Sequence, residues 1–192
     1  MGKSLFLTVI YVVCSLCYMA AQGLVNVKHY SVKDGMSQNT VQGVLQDNEG
    51  YIWMATWNGL EKFDGYSFKN YKTYPTDKVK LQYNRLVNLQ LGGNQMLVCQ
   101  SYDRRVYLFD IRRECFEDVF AYHPEVKLCT AASKIITLPN GMVWIVGTNG
   151  DLWRIDCFRY KDKGGLVYLP AHSDAERRRY VFTVSLLSLI HI

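Results

Sequence analysis

The chain has only four prolines and four histidines among its 192 residues, and no strong charge of either sign. It also has no apolar run of the roughly 20 residues that a membrane helix needs. A formal net charge of +5, with Arg177 to Arg179 as the one short basic run, lacks the stripe that nucleic-acid binding requires, so no nucleic-acid partner is expected for this chain. The histidines (His29, His123, His172, His191) show no metal-ligand spacing, so no metal and no cofactor are expected. His172-Ser173-Asp174 holds the residue types of a catalytic triad, but adjacency in sequence is not triad geometry.

The chain is rich in hydrophobic side chains (49%) and in aromatic ones (14%, with 14 tyrosines). That load supports a packed core, and aromatic and β-branched residues favour strands.

The N-terminus reads as a targeting segment. Lys3 precedes an uncharged apolar run from Leu5 to Tyr18, and the small residues Ala20 and Ala21 follow. This is the order of a secretory signal peptide over residues 1–21, read as cleaved after Ala21 rather than retained as an anchor. Export places Cys99, Cys115, Cys129 and Cys157 in an oxidising compartment, either as buried thiols or as disulfides whose pairing the spacing does not assign.

An internal repeat organises the rest. The segments "LEKFD", "VYLFD" and "LWRID" end at Asp64, Asp110 and Asp156, a constant step of 46 residues. Upstream, "DNEGYIWMATWNG" matches "LPNGMVWIVGTNG", setting Gly50 against Gly141, Trp53 against Trp144 and Asn58-Gly59 against Asn149-Gly150. Asp47, Thr56 and Gly147 complete the set of structural repeat residues. Asp47 is expected to accept hydrogen bonds from its turn, and each Asn-Gly to form a type I′ hairpin turn. The middle copy replaces its Asn-Gly turn with Tyr102 to Arg105.

Each unit parses into four short strands with Pro75, Pro124 and Pro170 between units, where a missing N–H breaks no ladder. Four strands at this period predict an all-β chain, a partial β-propeller of about three four-stranded antiparallel blades plus the start of a fourth. A strand over 22–35 would close the full ring. Blades follow over 36–75, 76–124 and 125–170. Residues 171–192 hold the start of a fourth blade and the tail "VSLLSLIHI", which departs from the repeat. His123 and His172 follow outer strands and are expected on surface loops.

The stretch from His29 to Gly65 resembles the two-component regulator propeller family. Its pattern is met by Asp34, Gly35, Ser37, Asn39, Val41, Asp47, Gly50, Trp53, Thr56, Gly59 and Leu60, with Met36 where leucine is usual. Members are N-terminal periplasmic sensor regions of hybrid two-component histidine kinases, many of them similar to sensors of glycan breakdown products. The resemblance implies a truncated, exported sensor fragment whose parent is anchored in the inner membrane. Its expected partners are a small-molecule or oligosaccharide ligand, the missing downstream blades and a homodimer partner in the full-length protein. It implies no enzyme in this fragment, which has no kinase histidine box, no nucleotide-binding glycine cluster and no receiver aspartate pocket. A protein-docking scaffold and a secreted propeller enzyme are the alternatives.

Ligands of propellers commonly meet the turns between second and third strands. Here these present Trp57 and Asn58, then Tyr102, Asp103, Arg104 and Arg105, then Thr148 and Asn149. Arginine beside tyrosine or tryptophan suits a sugar acid, as a forked donor to carboxylate or sulfate next to a flat face for the ring.

Overall fold

The computed structural model describes residues 27–77, 79–129 and 131–171, together with Gly2, Lys3, Phe6, Ile10 and Tyr11 near the N-terminus, which are helical. The chain divides into two compact units, residues 1–30 and 31–192. No helix among the described residues is long and apolar enough to cross a membrane. Most of the predicted signal segment, and the predicted start of a fourth blade, lie outside the described residues.

The second unit holds three antiparallel four-stranded meanders. The first comprises β1 (Val41–Gln46), β2 (Ile52–Thr56), β3 (Gly59–Phe63) and β4 (Phe68–Tyr71). The second comprises β5 (Leu86–Leu91), β6 (Met96–Ser101), β7 (Val106–Asp110) and β8 (Cys115–Glu117), and the third β9 (Ala132–Thr137), β10 (Met142–Gly147), β11 (Leu152–Asp156) and β12 (Leu166–Leu169). These are the predicted blades.

The described part of the predicted N-terminal strand, residues 27–35, holds no strand. Ser31 and Asp34 form a reciprocal capping box, and Val32–Asp34 turn into a 3-10 helix closed by Gly35 at φ 103°. Strand β8 does not continue past Glu117. Instead Asp118 accepts from Phe120 N and starts a second 3-10 turn, Val119–Tyr122.

The Asn-Gly turns are not type I′, which needs positive φ at both central residues. Gly59 (109°) and Gly150 (85°) are left-handed, while Asn58 and Asn149 are not. In the third blade Gly150 N donates to Gly147 O and Gly147 N to Asp151 O, the geometry of a type I turn followed by a glycine bulge. The middle blade makes the same turn. Arg104 N donates to Ser101 O, Ser101 N to Arg105 O, and Arg104 holds the left-handed position at φ 65°.

Packing between blades follows from strand alternation. Trp53 and Ala55 of β2 join Leu97 and Cys99 of β6 in one core, with Tyr71 and Phe109. Met96 and Val98 point the other way and join Val143 and Ile145 of β10 in the next. Strand β6 is therefore buried along its whole length, as a central blade requires. Trp53 is fully buried, edge-on to Phe109 with ring centroids 5.4 Å apart. Asp47 does accept from its turn, from Glu49 N (3.0 Å) and Tyr51 N (2.9 Å), and also takes Trp53 Nε1 at 2.7 Å. Trp144, at the repeat position of Trp53, is half-buried with Leu138 and Leu169 against Ile136 and Val146. No blade among the described residues covers that side.

Candidate functional site

The turns between second and third strands share one end of the blades with the segments that lead into the inner strands. Tyr102 N donates to Arg85 O (2.8 Å) in the second blade, and Thr148 N to Ala131 O (3.0 Å) in the third. Ala132 N donates to Arg104 O (2.8 Å), strapping the second blade's turn to the third blade. Just before Arg85, Asn84 holds the chain. Its Oδ1 accepts from Thr73 N at 2.8 Å and its Nδ2 donates to Thr73 O at 3.0 Å.

Arg85 is the central side chain of this face. Its guanidinium carbon lies 3.6 Å from the ring centroid of Trp57 in the first blade and 4.3 Å from that of Tyr102 in the second. Such stacking contributes about 0.5–2 kcal/mol per ring, depending on desolvation. The rings stay accessible, Trp57 40% exposed and Tyr102 58%. Arg85 Nε is buried without a hydrogen-bond partner. No ion pair among the described residues includes this guanidinium.

Beside Tyr102 an open cavity of about 550 Å³ is lined by Val87, Gln100, Tyr102, Arg104, Ala132 and Ser133. Gln100 Nε2 spans the blade boundary to Ala132 O at 2.9 Å, and Ser133 Oγ donates to Val146 O at 3.0 Å. The cavity floor is thus fixed by hydrogen bonds while its rim carries an aromatic ring and a cation.

The predicted site residues divide. Trp57 and Tyr102 meet around Arg85, and Arg104 shares the cavity with Tyr102. Asp103 and Arg105 pair with each other, Oδ2 to Nε at 3.3 Å. Asn58 uses its backbone inside the first blade, with its N–H on Thr56 Oγ1 and its carbonyl accepting from Asn70 Nδ2. Asn149 folds back so that its Nδ2 donates to Asp151 Oδ2 at 2.6 Å, and Thr148 lies exposed beside it. Sequence reasoning missed Arg85, Gln100 and Ser133. The repeat gives the place of Arg85 in its blade but not its ring partners: Asn84-Arg85-Leu86 matches Asn39-Thr40-Val41, and Asn39 Oδ1 likewise accepts a backbone N–H, that of Val32.

His123 is a correction. It was expected on the surface, but it is 2% exposed, with Nε2 2.7 Å from Tyr160 O. The loop after β8 tucks beneath the connection from β11 to β12, and the buried Tyr160 carbonyl takes a donor from the imidazole.

Asp151 anchors the third blade's turn. Burial alone would raise its pKa, but donors from Lys127 Nζ, Ala171 N, Tyr168 OH and Asn149 Nδ2 outweigh that and hold it at about 2. The four described cysteines are unpaired, and burial pushes the Cys129 and Cys157 thiols up to about 11. They act as apolar filling rather than nucleophiles.

Two other hollows have comparable volume. One, of about 530 Å³, lies among the turns between first and second strands, beside Pro139 and Phe158. The other, of about 620 Å³, runs along the outer strands β4 and β8. In the outer groove the carboxylates are already satisfied: Glu114 by Lys69 and Tyr71, Glu117 by Tyr122 (2.7 Å), Lys161 (3.2 Å) and Arg113. The end with Arg85 offers a cation that the described chain leaves unpaired.

No family model matches the chain. A stretch of 54 residues is 41% identical to "Histidine kinase P4" of Formosa agariphila, covering 28% of this chain and 4% of that protein. The fold matches the extracellular domain of BT4673 from B. thetaiotaomicron, called a one-component system in one structure and a hybrid two-component system in another. The first match has a TM-score of 0.51 at 23% identity, over 73% of this chain and 17% of that one. The second has a TM-score of 0.50 at 23% identity, over 72% and 16%. The chain therefore spans less than a fifth of each of these proteins, has the fold of part of an extracellular domain from a bacterial signalling system, and is similar over a short stretch to a histidine kinase.

Proposed function

We propose that this chain is the periplasmic, ligand-sensing propeller portion of a two-component signal-transduction sensor, and that it binds a glycan-derived oligosaccharide without transforming it. One observation carries the reading: the open hollow at the turn end, where the exposed Tyr102 ring borders polar groups of Gln100, Arg104 and Ser133 that come from two blades. An aromatic face beside convergent polar groups is the composition that a saccharide ring with its hydroxyls requires. The similarity to a histidine kinase and the shared fold with an extracellular signalling domain support the same assignment.

The test is a thermal-shift screen of the full chain against neutral and acidic oligosaccharides. A ligand that binds only the native state raises the melting temperature in proportion to its occupancy. A saccharide-dependent shift that Tyr102→Ala reduces is expected. No shift with any saccharide, alongside a stable protein partner in a pull-down, would instead make the chain a docking scaffold.

A further inference from the structure

The guanidinium of Arg85 lies over two aromatic rings and has no ion-pair partner among the described residues. Its central carbon stands 3.6 Å from the ring centroid of Trp57 and 4.3 Å from that of Tyr102. A guanidinium held by two rings has spent part of its rotamer freedom before any ligand arrives, and its N–H groups point outward along the edge of its plane. On that edge Nε is buried and has no hydrogen-bond partner. The nearby carboxylate does not serve it: Asp103 is taken by Arg105 and by the Ser101 hydroxyl. A buried, unpaired N–H on a cation costs about 1–3 kcal/mol or more, so Arg85 is not held in place for a hydrogen bond of its own at Nε.

We infer that Arg85, clamped between Trp57 and Tyr102, is the anchor of an oxyanion site, which takes a carboxylate or sulfate group carried by the ligand. Two parallel N–H···O bonds from the guanidinium edge hold two oxygens of the anion. The site adjoins the hollow lined by Tyr102 and Arg104, so the body of the ligand lies there and its charged group reaches Arg85. The class of ligand named here, an acidic saccharide, rests on the sensor reading above. The oxyanion site itself rests on Arg85.

The probes are pairs that differ only in charge: digalacturonate with its carboxyl-reduced counterpart, and N-acetylglucosamine 6-sulfate with N-acetylglucosamine. Sodium sulfate serves as the free ion. Binding to the full chain is followed by calorimetry and by tryptophan fluorescence, to which Trp57 contributes. One acidic member is expected to bind at least tenfold more tightly than its uncharged twin, weakening with added salt. The carboxylate and sulfate arms identify which anion is read. Arg85→Gln should lower affinity for that acidic member by roughly 10–100-fold while leaving a neutral ligand of the hollow unchanged. Arg85→Lys keeps the charge and loses the fork, so a loss of several-fold is expected even where the glutamine variant fails to fold.

Equal binding of acidic and uncharged members, unmoved by either substitution, would overturn the oxyanion site and leave the sensor reading standing. Failure of every saccharide together with binding of sodium sulfate in an Arg85-dependent way would overturn the saccharide reading and keep the oxyanion site. Failure of every probe would overturn both.

Discussion

The second and third blades make the same turn at the same end and use charge in opposite ways. In the third blade Asp151 sits just past the turn with four donors on its carboxylate, so its charge is consumed inside the fold. In the second blade Arg85 lies between two aromatic rings with no acceptor among the described residues. A buried charge that its own chain neutralises holds structure together. A charge that its chain positions and then leaves unpaired is available to something else. The backbone does not distinguish the two, since both turns close with the same pair of hydrogen bonds.

The sharpest way to break this comparison is to remove the satisfied charge. Asp151→Ala leaves Lys127, Tyr168 and the Ala171 N–H without their acceptor, and should cost about 3 kcal/mol of unfolding free energy at pH 7. Urea titration followed by tryptophan fluorescence reads it. The pH dependence has a definite sign. Because the folded pKa lies below the unfolded value of 3.8, the stabilisation is fully present above pH 4 and is lost as pH falls towards about 2. Its size is on the order of 2 kcal/mol. Glu114 and Glu117 are also held below the usual carboxylate range, Glu114 chiefly by Lys69 and Tyr71, and Glu117 because Tyr122 and Lys161 outweigh its burial. The difference between wild type and the isosteric Asp151→Asn variant over pH 4 to 2 therefore isolates Asp151. Parallel acid profiles for the two proteins would mean that the third blade's turn is no more closed than the second's.

A second test uses the left-handed position that all three turns share. At Gly59, φ is 109° and an added Cβ would lie 2.4 Å from the Tyr71 carbonyl oxygen. Gly59→Ala should cost about 3 kcal/mol, from backbone strain together with the displaced fourth strand. At the matching position Arg104 has φ 65°, inside the left-handed region that an L-residue can occupy. A loss at Gly59 below about 1 kcal/mol in the same urea assay would show that the first blade's turn is as permissive as the second's.

The contrast also explains what the sequence could disclose. Strands were legible because glycine and asparagine punctuate apolar runs at a fixed step, and Asp47 was legible because an Asp two residues before its turn donors has one common use. Arg85 was not. Its meaning depends on Trp57 and Tyr102 converging from different blades, a long-range contact that no local pattern encodes. Arg104 hid the middle turn, because arginine carries no signal for positive φ while the flanking hydrogen bonds still impose it. His123 beside Pro124 has the composition of a surface loop, and only its bond to the distant Tyr160 carbonyl makes the imidazole internal. The local rules located the elements, while Arg85 and His123 take their meaning from Trp57 and Tyr160 in other units of the repeat.

Removing the unsatisfied charge should do little to stability, and this is the fairest trial of the distinction between the two blades. Arg85→Met keeps an unbranched, polarisable side chain between the two rings and deletes the buried unpaired N–H. The lost cation–π attraction and the removed desolvation penalty oppose each other, so the net change is expected within about 1 kcal/mol of zero. A loss approaching that at Asp151 would make Arg85 a fastener of the fold and withdraw its availability to a ligand.

The smallest effect is expected at Arg104. Holding a non-glycine residue in the left-handed region costs about 1 kcal/mol, and Arg104→Gly releases it at the expense of a looser unfolded chain. The backbone bonds from Arg104 N to Ser101 O and from Ala132 N to Arg104 O survive the substitution. The variant should therefore be stabilised by up to about 1 kcal/mol while losing affinity for any ligand in the hollow that the Arg104 side chain borders. A gain in stability with a loss in binding is what a residue retained against local backbone preference produces. Destabilisation by Arg104→Gly would mean that the arginine side chain supports the strap to the third blade, and the second blade's turn would then belong with the third's.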